Sequence, residues 1–211
     1  MGRDAILHRV RMALGHSAGE PMPQPPPVRI RLPEVAVEAR IASLLARVEA
    51  LAGEPVRIAA PAEARAWVAA AIEGKSAVAS NSPFLAECGI PDLPGVRSGI
   101  TEECELRRLS AAADVGITSA DYALADTGTL VMLASPREAR LISLLPPAHI
   151  ALVPRERILT GLDELFTLLP KPAEQTSSMV LITGPSRTAD IEQILVRGVH
   201  GPGKLAVVVI G

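Results

Sequence analysis

Five stretches of this chain are apolar almost without interruption: residues 115–118 (VGIT), 129–134 (TLVMLA), 149–153 (HIALV), 179–182 (MVLI) and 205–210 (LAVVVI). A strand with one wet face alternates apolar and polar residues, so unbroken runs mark strands covered on both faces, the condition of a parallel sheet between layers. Residues 56–60 and 76–80 read as two more strands. Helical spacing fills the intervals. Ile41, Leu44, Leu45, Val48 and Leu51 recur at three- and four-residue steps up to Gly53. Residues 62–73 follow, with Pro61 suited to the helix start and Gly74 to its end, and a short helix begins at Pro83. Residues 101–113, 162–169 and 189–196 complete the series. The alternation predicts an α/β fold, with a mainly parallel six- or seven-stranded sheet, helices on both faces and three layers.

Residues 1–35 stand apart from this pattern. Ile6, Leu7, Val10 and Leu14 place a short amphipathic helix over residues 3–14, ended by Gly15, and the Pro-rich stretch over residues 21–33 continues no helix. The N-terminal helical arm on a stiff tether either packs on its own domain or docks on a partner protein. Residues 36–211 form the single α/β domain.

Charge and composition remove several classes of function. With a net charge of -2 and four aromatic residues (Trp67, Phe84, Tyr122 and Phe166), the chain has neither a basic field nor stacking platforms for nucleic acid. No apolar run approaches the ~20 residues of a membrane span, and the first helix lacks a secretory pattern, so neither membrane nor export is expected and the cytoplasm is the default. Cys88 and Cys104 are the two cysteines; they form no C-x-x-C pair and fall short of the four ligands of a structural zinc or an iron–sulfur cluster. No cofactor or metal is expected on this chain.

Three segments can carry chemistry. Residues 183–192, T-G-P-S-R-T-A-D-I-E, follow an apolar run and lead into a helical pattern. With Thr188 as N-cap, Gly184, Ser186, Arg187 and Thr188 would present hydroxyls, a guanidinium and backbone N–H groups to a carboxylate or phosphate at the carboxyl edge of the sheet. A capped turn without ligand is the other reading, favoured by Pro185, which has no N–H, and by Asp190, which already meets the helix dipole. In residues 116–133, Asp121 and Asp126 punctuate an apolar run, and Asp126-Thr127-Gly128-Thr129 precedes a strand. The two acids are candidate bases or nucleophiles, or local caps of backbone N–H groups, and Thr127, Gly128 and Thr129 are candidate ligand contacts. His200, in the turn V-H-G-P-G, is a candidate acid–base group or a structural turn residue. P-loop, dinucleotide-binding, nucleophile-elbow and zinc-protease motifs are absent from the sequence.

Three runs, G-I-T-S-A-D-Y-A-L-A-D-T-G-T-L-V, S-L-L-P-P-A-H-I-A-L-V and above all I-T-G-P-S-R-T-A-D-I-E-Q-I-L-V-R-G-V-H-G-P, resemble the lactate-utilisation protein C family, the LUD domain. The resemblance implies a fold similar to the glucosamine-phosphate isomerase, ribose-phosphate isomerase and CoA-transferase superfamily. It further implies a role in oxidising L-lactate to pyruvate beside iron–sulfur partner proteins. The expectation is therefore an accessory, non-cluster subunit that binds a small carboxylate or phosphate. The alternative is a stand-alone enzyme on a sugar phosphate or acyl-CoA, with Asp126, Asp121 or His200 as its catalytic groups.

Overall fold

The computed structural model describes residues 2–15, 34–191 and 194–211, so the Pro-rich tether and Glu192-Gln193 lie outside the described residues. The chain forms two compact units, Met1–Arg31 and Leu32–Gly211. In the first, helix α1 (Arg3–Leu14) closes at Gly15, whose φ of 69° is the left-handed conformation that ends helices.

The second unit opens with α2 (Val37–Ala50) and β1 (Glu54–Ile58), then α3 (Pro61–Ala71), β2 (Ala77–Ala79), α4 (Pro83–Glu87) and β3 (Val96–Arg97). Next come α5 (Glu103–Ala112), β4 (Val115–Ser119), β5 (Tyr122–Leu124), β6 (Thr129–Leu133), α6 (Arg140–Leu144) and β7 (Ala148–Pro154). The chain finishes with β8 (Ile158–Leu159), α7 (Leu162–Leu168), β9 (Met179–Ile182), β10 (Arg187–Ile191), β11 (Ile194–Arg197) and β12 (Lys204–Ile210). Pro61 and Pro83 occupy first-turn positions of α3 and α4, where a missing N–H costs nothing.

The main sheet has six strands in the order β1-β12-β7-β4-β2-β3, and every pairing in it is parallel. On one face Ile117, Ile150, Leu152, Val208 and Ile210 pack with Ala64 and Val68 of α3 and Leu85 of α4. On the other, Ala151, Val153, Val207 and Val209 meet Ile41, Leu44 and Val48 of α2, together with Ala123, Leu130 and Met132 of a second sheet. Each fully buried aliphatic side chain contributes about 1.5–3 kcal/mol, so both faces supply stability. The protein is α/β as the sequence predicts.

The second sheet departs from that prediction. It has four strands in the order β8-β5-β6-β9, with β6 antiparallel to both β5 and β9. The strands expected at residues 129–134 and 179–182 are therefore not in the parallel sheet. Four residues join β5 to β6, whereas a parallel crossover needs about a dozen, so this connection can only be a hairpin. A second difference is larger. The helix expected over residues 189–196 is a pair of antiparallel strands, β10 and β11, with Arg187 opposite Arg197 and Thr188 opposite Val196. The sequence there holds β-branched Thr188, Ile191, Ile194 and Val196, which favour strand over helix, and the spacing of Ile191, Ile194 and Leu195 does not discriminate.

Candidate functional site

The hairpin turn of β5–β6 and the end of β9 meet because β6 and β9 pair with Leu130 opposite Ile182. Thr129 thereby faces Thr183, and their hydroxyl oxygens lie 2.8 Å apart. Thr129 in turn donates to the Thr127 hydroxyl at 2.9 Å, so the Thr183 hydroxyl is the donor to Thr129. The two motifs singled out in the sequence are thus joined. Their glycines have a packing reason. Gly128 and Gly184 have φ of 72° and 86°, and a Cβ on them would lie 2.8 Å from Arg47 Cβ and 3.1 Å from Leu51 Cβ, so both turns settle on the last turn of α2.

The Arg187 guanidinium donates to the carbonyl of Leu51, one of the acceptors left open where α2 ends. Because β10 starts at Arg187, no helix N-terminus forms around Ser186, Arg187 and Thr188, and the helical N–H donors expected there do not arise. Replacing Arg187 by alanine is expected to lower stability by no more than about 1 kcal/mol, the usual worth of one hydrogen bond at an exposed site, read from the urea midpoint. Asp126 is exposed, its N–H donates to the Thr160 carbonyl, and a Cβ on Gly161 would lie 2.5 Å from its Oδ2. It sits beside the Gly161 turn and does not line the cleft between the Thr183 loop and the His200 turn.

The Thr183 loop and the His200 turn are hydrogen-bonded to each other: the Ser186 N–H donates to the Pro202 carbonyl at 2.9 Å, and the Gly198 N–H to the Ser186 carbonyl at 3.0 Å. Between them lies a cleft of about 210 Å³, lined by Ser143, His149, Thr183, Gly184, Ser186, His200 and Leu205 among others. His149 and Leu205 are the second residues of β7 and β12, so this cleft opens at the amino edge of the parallel sheet. The carboxyl edge was expected. The reversal follows from β9, which runs in an antiparallel side sheet rather than as a strand of the main one.

His149 is the feature of this cleft that spacing did not single out. It is 1% exposed, and its Nε2 lies 2.8 Å from Thr118 Oγ1, while Nδ1 has no partner among the described residues. Burial pushes its pKa down to about 4, so the ring is neutral at physiological pH. The sequence carried a signal for it, a lone polar residue inside the continuous run AHIALVP. His200 is exposed at the cleft mouth.

The carboxyl edge holds a different cluster. After β2 the chain crosses outward to β3, whereas after β4 the next strand of this sheet is β7 on the opposite side, so the neighbouring ends of β2 and β4 flank a switch point. Open α/β sheets place ligands in such crevices. Glu138 fills it. Its Oε1 accepts from Ser80 Oγ at 2.7 Å and from the Ser119 N–H at 3.1 Å, while Oε2 is buried without a partner among the described residues. Burial raises the carboxyl to about 7 despite those two hydrogen bonds, and the charge of Asp121 adds to the rise. Asp121 itself is half-buried, accepts from the Leu133 N–H at 2.6 Å, and is also raised by burial. The sequence reading found Asp121 but missed Glu138, because S-P-R-E-A-R looks like an ordinary solvated loop.

Among solved structures, a DUF162 family protein from Deinococcus radiodurans shares this α/β fold, with a TM-score of 0.62 at 21% identity over 84% of this chain and 100% of that one. The LUD domain model matches residues 41–210, and the chain belongs to the LUD domain family. It is similar to proteins named Lactate utilization protein C: 41% identical over 108 residues to that of Exiguobacterium sp. (49% of this chain, 47% of the relative). To those of Macrococcus caseolyticus and Oceanobacillus iheyensis it is 36% and 31% identical, covering 63% and 65% of this chain and 60% and 64% of the relatives. The chain spans about half to two thirds of the length of these relatives.

Proposed function

We propose that this chain is an accessory, non-cluster component of a cytoplasmic lactate-utilisation system, in which partner proteins hold the iron–sulfur clusters for oxidising L-lactate to pyruvate. Its part is to bind a small carboxylate or phosphate. The names of the relatives support the system, and the cysteines support the division of labour. Cys88 is buried, with burial raising its thiol to about 11, and Cys104 is exposed, so the two cannot supply the four thiolates of a cluster.

The observation that carries the ligand reading is the convergence of the two family-marking loops on one cleft floored by a buried histidine with a free ring nitrogen. Ser186 and His200 offer donors there and Thr183 lines its wall, while Thr129 and Thr127 brace Thr183 from behind through their linked hydroxyls. Arg187 and Thr188 follow Ser186 in the chain but are not among the residues lining the cleft, and Arg187 is held on the Leu51 carbonyl.

Calorimetry with lactate, pyruvate and phosphate tests this reading. His200→Ala and Ser186→Ala should each weaken binding by about tenfold, the equivalent of one hydrogen bond to a charged group. Pull-down with a tagged chain should recover a Cys-rich iron–sulfur protein. Turnover of ribose 5-phosphate or an acyl-CoA by the purified chain alone would overturn the accessory role in favour of a free-standing enzyme.

A further inference from the structure

The switch-point crevice lies at the opposite edge of the sheet from the cleft. Glu138 is 8% exposed, and two donors converge on Oε1. They come from different strand ends: the Ser80 hydroxyl just after β2 and the Ser119 N–H at the last residue of β4. Among the described residues Oε2 has no partner. A purely structural carboxyl in such a place would be expected to satisfy both oxygens, since an orphaned buried oxygen costs about 1–3 kcal/mol. Glu138 also lines a cavity of about 390 Å³ with Arg140, Ser135 and Ser177. Arg140 is exposed and among the described residues makes one hydrogen bond, donated to the Ser178 hydroxyl at 3.2 Å, out of its five N–H donors.

We propose that the Glu138–Arg140 cavity is a second binding site, for a small anion carrying an oxo or hydroxyl oxygen beside its charged group. Arg140 pairs with the carboxylate or phosphate, and Glu138 Oε2, closed off from solvent in this conformation, takes the oxo or hydroxyl oxygen once the carboxyl group turns toward the cavity. Arg140 suits the first task because its planar fork matches either anion. Glu138 suits the second because one atom serves both ligand types: as a carboxylic acid Oε2–H donates to a carbonyl, and as a carboxylate Oε2 accepts from a hydroxyl. The proton on Glu138 therefore selects between an oxo acid and the corresponding hydroxy acid. The charged groups around it are Asp121, across the end of β4, and Arg137 and Arg140 on its own segment; Arg157 acts on it only through Asp121.

Nuclear magnetic resonance titration of the full chain with pyruvate, lactate, ribose 5-phosphate and acetate, at pH 6 and pH 8, tests the site. With the carboxyl centred at about 7, pyruvate should bind close to tenfold more tightly at pH 6 than at pH 8, and lactate should not share that loss. Acetate, lacking the second oxygen, should bind at least tenfold more weakly than pyruvate at pH 6. Ribose 5-phosphate separates a phosphate preference from a carboxylate one. Glu138→Gln keeps an acceptor for Ser80 and Ser119 and puts a permanent donor at Oε2, so pyruvate binding should become independent of pH, a change that a merely structural role would not produce. Arg140→Ala should abolish binding of every anion at this cavity. Ser186→Ala should leave these shifts in place, so failure of the amino-edge cleft is distinguishable from failure here. The proposal is overturned by absence of binding for all four anions, by a pyruvate affinity insensitive to pH, or by persistence of the pH effect in Glu138→Gln.

Discussion

Replacing Gly116 by alanine or valine is expected to prevent folding of the α/β unit. Gly116 lies in β4, where it pairs with Val78 of β2 on one side and His149 of β7 on the other. A Cβ there would fall 1.9 Å from the carbonyl oxygen of Ile142 in α6 and 3.1 Å from Pro146 Cγ. The first of these is a backbone atom, so no rotamer change relieves the clash. Moving α6 away opens the contact that buries Ile142 against Val78, and moving β4 breaks ladders on both sides in the middle of the sheet. Overpacking a core usually costs about 1–3 kcal/mol, and with a rigid backbone on each side the loss should exceed about 4 kcal/mol, most of what a domain of this kind possesses. Gly74→Ala is the matched control. Gly74 has φ of 71° but nothing within 4 Å, so only backbone strain of about 1–2 kcal/mol applies. Urea unfolding followed by circular dichroism measures both; a Gly116→Ala protein as stable as Gly74→Ala would mean that α6 does not rest on β4.

That contact also shows where sequence reasoning stops. The strands of the parallel sheet declare themselves because being covered on both faces leaves no polar position, and the run LAVVVI lies within a residue of β12. α2 and α3 declare themselves by spacing and by Pro61. The short elements β3, β5, β8 and α6 do not, since two to five residues contain too little periodicity to separate from a loop. The Thr183 loop and the His200 turn line one cleft, at the amino edge of the sheet and not at the expected carboxyl edge. The sequence of Thr183 to Glu192 is compatible with a strand-to-helix turn, and what decides against it is non-local: β9 pairs with β6, and Arg187 pairs across to Arg197. Likewise Gly128 and Gly184 look like ligand-loop glycines in sequence, whereas in the structure each lets a turn approach α2. Glu138 was hidden because its significance is burial without a full set of partners, which no local pattern encodes; for His149 the local signal was a lone polar residue in an apolar run, which marks burial but not the unpaired nitrogen.

Those two residues should give the protein opposite pH dependences that partly cancel. Glu138 titrates at about 7 in the folded chain against 4.5 for an ordinary glutamate, so between these values the folded state holds a proton that the unfolded state has released. Its contribution to stability is therefore greatest in acid and is lost as the pH rises from about 4.5 to about 7. His149 titrates at about 4 against 6.5, so between these values the unfolded state holds the extra proton, and its contribution is lost as the pH falls from about 6.5 to about 4. Each displacement is worth about 3 kcal/mol at roughly 1.4 kcal/mol per pH unit, an order-of-magnitude figure for buried groups. Wild-type stability should then vary little between pH 4.5 and 6.5. Relative to it, Glu138→Gln should gain about 3 kcal/mol as the pH rises from 4.5 to 7, and His149→Gln should gain about as much as the pH falls from 6.5 to 4. Taking differences from wild type removes the contributions of Glu38 and Asp114, whose hydrogen bonds lower them and whose stabilisation is lost only in stronger acid, and leaves in the Glu138→Gln curve the part of Asp121 that is coupled to Glu138, which has the same sign. Urea unfolding at half-unit pH intervals measures all three proteins. Parallel curves for wild type and Glu138→Gln would show that Glu138 is ionised in the folded chain throughout this range, and would remove the proton that lets it donate to an oxo acid.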